Sequence, residues 1–246
     1  MLPSTRSLPP LKRTAAVALA FGLLIAAATS LPAAAQAGGP PIGADLHGFA
    51  QPRTLKILGV GAAVAAASLS FENAAQEHAL FENPGLDGTS DVGNEYASGV
   101  TMVALSGVFL GTGHFTDDAT LTRTGGEMAR GIVYTTVAVS TLKLAFHRTR
   151  PNGGPYSFPS GHTTLAFAMA PILSKNFGWR AGVPAYALAG ATGMGRMEDN
   201  KHYLSDVIFG AALGLSIGLA VSGHDALPAR VELQAAPGGA AVSYHF

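Results

Sequence analysis

An all-α bundle of about six core helices, with a polar site at one end and a short β-hairpin after it, is the fold the sequence predicts. Three observations point there. The 246 residues are 48% hydrophobic and only 12% charged, with mean hydropathy +0.30, which suits a membrane-associated or tightly packed helical protein. Long apolar runs recur along the chain, separated by clusters of Gly, Pro, Asp and Asn. The charged residues that could do chemistry gather at the ends of those runs, between Lys143 and Asp206.

The amino end has the pattern of an export signal. Arg6, Lys12 and Arg13 precede an apolar stretch, Ala15–Ala28, and small residues follow, so residues 1–37 are expected to be a cleaved signal peptide. Residues 38–53 are rich in Gly and Pro without an apolar period and are expected to be a linker. A first helix is expected over Thr54–Phe71. Glu72–Tyr96 mixes acids, Asn, Gly and Pro, with a short helix expected around Ala74–Phe81. The second helix is Ala97–Gly113. His114–Glu127 is polar, with Asp117-Asp118 and Gly125-Gly126 as turn residues. Met128–Phe146 is the third helix and Gly161–Phe177 the fourth, separated by the loop Pro151-Asn152-Gly153-Gly154-Pro155. Ala181–Gly195 is the fifth, Met197–Lys201 a charged connector, and His202–Val221 the sixth. The helical domain thus runs from 54 to 222. The tail, 223–246, alternates at Val231–Gln234 and at Val242, Tyr244 and Phe246 around Pro237-Gly238-Gly239, as a hairpin does.

Zero net charge argues against nucleic acid as a partner. With no cysteine, disulfides, thiolate catalysis and Cys-based zinc sites are excluded. His114, Asp117 and Asp118 cluster, and His147 lies near Arg150, but their spacing matches no ligand motif and no metal is expected.

The chemistry-bearing residues fall into three pieces. Lys143 and Arg150 are seven residues apart, close to two helical turns, and Pro151 ends the helix, so both cations can face one side. Arginine offers a planar fork to phosphate oxygens and lysine a point charge. Pro159-Ser160-Gly161-His162 has the form of a helix N-terminus, where backbone N–H groups bind anions. Ser160 can cap the helix or donate its hydroxyl to a phosphate oxygen, Gly161 lets backbone approach closely, and His162 projects from the first turn. Arg196 adds a third cation. His202 and Asp206 form an i,i+4 pair in which the carboxylate fixes the imidazole tautomer and leaves the other nitrogen free to attack. In an antiparallel bundle all of these pieces lie at the same end. Together they make a phosphate site with a nucleophile and a proton donor beside it.

In this order, K-x6-R-P, P-S-G-H and R-x5-H-x3-D resemble the superfamily of type 2 phosphatidic acid phosphatases, bacterial class A acid phosphatases and vanadium haloperoxidases. The resemblance covers about Met128–Val221. It implies that His202 forms a phosphohistidine held by Asp206, and that His162 is general acid and then base. It also implies that Lys143, Arg150, Ser160, Gly161 and Arg196 bind the phosphate, and that no metal or other cofactor takes part. The residue before the third-motif arginine is usually Ser and is Gly195 here, which removes one possible phosphate hydroxyl. The Asn152–Phe158 segment is short, leaving specificity to Tyr156, Phe158 and Met197–Lys201.

The expected activity is therefore a metal-independent phosphatase acting on phosphate monoesters or diphosphates, of lipids or of small molecules. Its expected place is the cell envelope, at a membrane or in the periplasm, with the site facing the periplasm. A vanadate-dependent haloperoxidase and a non-catalytic membrane scaffold are the alternatives, the first requiring vanadate.

Overall fold

The described residues of the computed structural model are 42–71 and 95–223, together with the strand backbone at 231–236 and 239–244. The expected signal peptide and the short helix at Ala74–Phe81 lie outside them. Seven helices are present among these residues: α1 Ile42–Ala50, α2 Pro52–Ser68, α3 Gly99–Phe115, α4 Ala119–Phe146, α5 Gly161–Phe177, α6 Trp179–Glu198 and α7 Leu204–Ser222. Strands β1 Val231–Ala236 and β2 Gly239–Tyr244 pair antiparallel, from Val231 opposite Tyr244 to Ala236 opposite Gly239.

Helix α5 is the centre of the bundle. Its Leu165, Ala168, Met169 and Ile172 are buried against Met102 of α3, Met128 and Tyr134 of α4, and Ile217 and Val221 of α7. Three fully buried methionines, Met102, Met128 and Met169, fill the irregular space where helices cross. On α7, Gly210, Gly214 and Gly218 stand one turn apart. A Cβ at these positions would lie 2.9, 2.2 and 2.3 Å from the backbone oxygens of Ser160, Thr164 and Ala168 respectively. The side chains are missing there because the α5 backbone occupies their place, the small-xxx-small packing that lets two helices touch.

Three sequence expectations are corrected. The presumed linker contains α1, and Pro52 sits in the first turn of α2, where a proline is tolerated. Asp45 of α1 is fully buried and pairs with Arg130 Nε of α4 at 2.8 Å. The Tyr134 hydroxyl donates to the same carboxylate at 3.1 Å, and Arg130 Nη2 donates to the Val221 carbonyl at 3.3 Å. This network ties α1 to the end of the bundle opposite Lys143. Gly125-Gly126 are not a turn but part of α4, which starts nine residues earlier than expected. Asp118 caps it, accepting from the Thr120 and Leu121 amides. Gly125 is there because a Cβ would lie 2.8 Å from the Ser106 carbonyl of α3. Helix α6 runs on to Glu198, taking in Arg196 and the start of the expected connector.

Breaking the Asp45–Arg130 pair strands a buried guanidinium. Asp45→Ala is therefore expected to lower stability by about 3–5 kcal/mol. A thermal unfolding scan in detergent checks this, and an unchanged midpoint would show that α1 is not fastened by the pair.

Candidate active site

The site is built where α4 and α6 end and α5 and α7 begin. Lys143 lies in the last turn of α4. Its ammonium donates to the Tyr156 carbonyl at 2.5 Å and reaches the Ser157 carbonyl at 3.5 Å, which holds the 147–160 loop against the helix. Helix α4 stops at His147, in the left-handed region with φ 48°, and the chain turns back through Arg150. Arg150 is pinned by its backbone: its amide donates to the Gly154 carbonyl at 2.8 Å, and its carbonyl accepts from the Gly153 amide at 3.0 Å. Its guanidinium Nε is buried without a hydrogen-bond partner, a donor in want of an acceptor.

Ser160 is the N-cap residue of α5, but its side chain does not cap the helix. The hydroxyl is fully buried and shares a hydrogen bond of 2.8 Å with the Thr163 hydroxyl, so it is occupied within the first turn. Gly161 opens the helix, and a Cβ there would meet only Val139, at 3.4 Å. His162 follows on the first turn, half-buried. Arg196, in the last turn of α6, lies 3.4 Å from the Asp199 carboxylate.

His202 and Asp206 are not both helical. His202 sits in the turn before α7, whose N-cap is Tyr203, and Asp206 is the third residue of the helix. The pairing survives: His202 Nδ1 faces Asp206 Oδ2 at 3.6 Å, with both residues buried. That is longer than a hydrogen bond, and Nδ1 has no other partner. A small closure would make the bond.

Arg148 and Ser157 went unnoticed in the sequence and prove to hold Asp206 in place. Arg148 Nη1 donates to Asp206 Oδ1 and to Ser205 Oγ, both at 2.7 Å, and its guanidinium lies 4.2 Å above the Tyr203 ring. The Ser157 hydroxyl donates to Asp206 Oδ2, and the Tyr203 amide donates to the same oxygen at 2.9 Å. Arginine two residues before the motif arginine, and serine three before Ser160, were the only available signals.

Lys143, Arg150, Arg196, His162 and His202 lie near enough to act on one another's charge. Burial pushes the Lys143 ammonium down to about 8, and Arg150 and Arg196 push the same way against Asp206. His162 is pushed down to about 4, by burial first and then by Arg196, His202, Lys143 and Arg150. His202 is lowered by burial, with Lys143 and Arg196 adding to it and Asp206 opposing. Burial alone would raise Asp206. The contacts with His202, Ser157, the Tyr203 amide and Arg148 outweigh it and hold the carboxyl below its usual range. Three cations and two neutral imidazoles around one spot make a place that an anion would stabilise. Asp118 caps α4, and His147 lies against the Tyr156 ring, 5.3 Å between centroids.

Known proteins are similar to this chain in sequence and in fold. Residues 152–224 match the PAP2 superfamily. The chain is 42% identical over 84 residues to a lipid A 1-phosphatase of Porphyromonas gingivalis, which covers 32% of this chain and 19% of that protein. It is 29% identical over 100 residues to a lipid A 4'-phosphatase of Helicobacter pylori, covering 36% and 50%. The chain thus spans half or less of the length of these curated relatives. Among solved structures, a transmembrane PAP2 type phosphatidylglycerolphosphate phosphatase from Bacillus subtilis shares the fold. Its TM-score is 0.60 at 22% identity, over 70% of this chain and 96% of that one. Aquifex aeolicus LpxE aligns with TM-score 0.51 and 25% identity, over 58% and 88%. Residues 152–224, which hold the second and third motifs, thus match the PAP2 superfamily, and the helical architecture is the one these solved PAP2-type structures share.

Proposed function

We propose that the protein is a metal-independent phosphatase that removes phosphate from phosphorylated lipids through a phosphohistidine on His202. The observation that carries this is the convergence of Lys143, Arg150 and Arg196 on two imidazoles, one of them backed by a buried carboxylate. With Asp206 facing Nδ1, the lone pair of His202 Nε2 attacks phosphorus, and the cations hold the charge on the equatorial oxygens. The P–O bond to the lipid breaks, and His162 gives its proton to the departing oxygen. Water then loses a proton to His162 and attacks phosphorus. The P–N bond breaks, phosphate leaves, and both histidines return to their starting states.

A lipid substrate is supported by the lipid A phosphatases among the relatives and by the apolar surface. Leu55, Val60 and Val64 of α2 and Val100, Val103 and Phe115 of α3 are exposed, and large apolar side chains left uncovered on neighbouring turns suit a membrane surface. Among the described residues one helix, α7, is long and apolar enough to cross a membrane, and 67% of that stretch is buried inside the bundle. We place the protein at an envelope membrane, with its site toward the periplasm.

The test is phosphate release by the purified protein from a panel that includes lipid A, phosphatidate, phosphatidylglycerol phosphate, a prenyl diphosphate and a soluble monoester. Activity is expected to survive EDTA and to be blocked by vanadate, which can mimic five-coordinate phosphorus at His202. Loss of activity on chelation, restored by magnesium, would overturn the metal-independent mechanism. Halide oxidation by the vanadate-loaded protein, without phosphate release, would favour the peroxidase instead.

A further inference from the structure

We propose that a groove between α2, α4 and α7 is the seat of the substrate's hydrocarbon chain, and that Phe158 and Arg148 link it to the catalytic site. The proposal rests on the lipid phosphatase reading and adds a location and a set of specificity residues to it. The groove has a volume of 490 Å³, within the usual range for a small-molecule site. It arises from a wedge. Gly61 of α2 lies so close to α7 that a Cβ would stand 2.1 Å from that of Ala212. Toward the site end α2 presents only Ala62, Ala65 and Ala66 before Leu69, and these small side chains leave the space beside α7 unfilled.

The opposite wall is aromatic and continuous. Phe158 stands 4.9 Å from the Phe146 ring and 4.9 Å from the Phe209 ring, between centroids. Phe146 is 61% exposed even though α2 runs beside it. A wall of rings facing a row of alanines offers an apolar chain burial worth about 0.8 kcal/mol per methylene.

Only Arg148 and Ser205 are polar in the lining. Both adjoin the nucleophile's support, because Arg148 donates to Ser205 Oγ and to Asp206 Oδ1. The carboxylate itself is fully buried, so the groove meets the guanidinium and not the acid. Phe158 lies two residues before Ser160 and connects the groove to the start of α5. A chain in the groove therefore bears on the elements that hold His162 and Asp206.

The test uses Ala66→Trp, which fills the groove from an exposed position outside the catalytic machinery. It is expected to lower kcat/KM for a long-chain phosphatidate at least ~10-fold, the worth of about two buried methylenes, and to leave p-nitrophenyl phosphate within about twofold. In parallel, a phosphatidate with a diazirine midway along one acyl chain is photolysed with the full-length protein in detergent micelles. Label is expected at residues 62–69 and around Phe209 in the parent protein, displaced by excess long-chain phosphatidate and absent in Ala66→Trp. An equal loss on both substrates, or label spread evenly over exposed apolar surface and unchanged in the variant, would overturn the proposal. If the parent releases phosphate from no substrate, the phosphatase reading fails. The cross-linking result then decides the groove by itself.

Discussion

His202→Ala is expected to abolish turnover on every substrate, by ~10⁴-fold or more, since removal of a covalent nucleophile leaves only binding and electrostatic assistance. Acid-quenched reactions should show a phosphoenzyme in the parent and none in the variant, and equal labelling of the two would rule His202 out as nucleophile. The residues behind it should form a graded series. Asp206→Asn keeps the shape but loses the charge that Arg148 grips at 2.7 Å. It is expected to cost ~10²–10⁴-fold while a trace of phosphoenzyme survives. Arg148→Ala leaves the carboxylate with Ser157 and the Tyr203 amide and is expected to cost ~10–100-fold, the usual price of an outer support. That ordering, nucleophile then carboxylate then arginine, is what separates a reacting group from those that position it.

His162→Ala is expected to separate substrates by leaving group. A lipid alkoxide departs badly unless protonated, so general acid catalysis is worth ~10²–10⁴-fold there. A nitrophenolate departs without a proton and should lose little. The contrast belongs in single-turnover phosphoenzyme formation, because in the proposed mechanism His162 is also the base in the later water attack. If the variant loses the same factor on both substrates in that first step, the role of His162 is positional. The pH dependence gives a second reading. In the free site His162 sits at about 4, pushed down by burial and by Arg196, His202, Lys143 and Arg150. A bound phosphate dianion offsets that positive field and favours the imidazolium, so the pKa rises in the complex. The acid must be protonated to work, and activity on an alkyl phosphate falls as pH rises through its pKa. The fall is therefore expected at higher pH in kcat than in kcat/KM.

The helical architecture was legible because apolar runs and their breakers mark helices in a bundle of this composition. Helix α5 matches its expected limits, Gly161–Phe177, since Pro159-Ser160 before it and Gly178 after it are unambiguous signals. Gly48 and Gly125 read as loop and turn formers in the sequence, but a Cβ on either would meet the backbone of another helix, Ala220 of α7 and Ser106 of α3, and only the partner helix tells the two uses of glycine apart. The site residues with strong chemistry stood out by type and spacing. Arg148 and Ser157 did not, because their function depends on a contact with Asp206 across more than 45 residues of chain. Nor was the Ser160–Thr163 hydroxyl pair legible, since the side chain of Ser160 makes no cap bond and turns to Thr163 instead.

The glycine ladder of α7 has a further consequence. Because Gly210, Gly214 and Gly218 lie against the Ser160, Thr164 and Ala168 carbonyls, α5 and α7 cannot slide or part without collision or loss of contact over two turns. His162 rides on one of these helices and Asp206 on the other, and the Ser160 amide donates to the Asp206 carbonyl at 3.1 Å, joining their first turns. His162 and Asp206 thus belong to one closely packed pair of helices. Flexing that admits a substrate or releases its product is therefore expected outside that pair, in α2 above all, while the spacing between His162 and Asp206 is kept like the jaws of a fixed gauge.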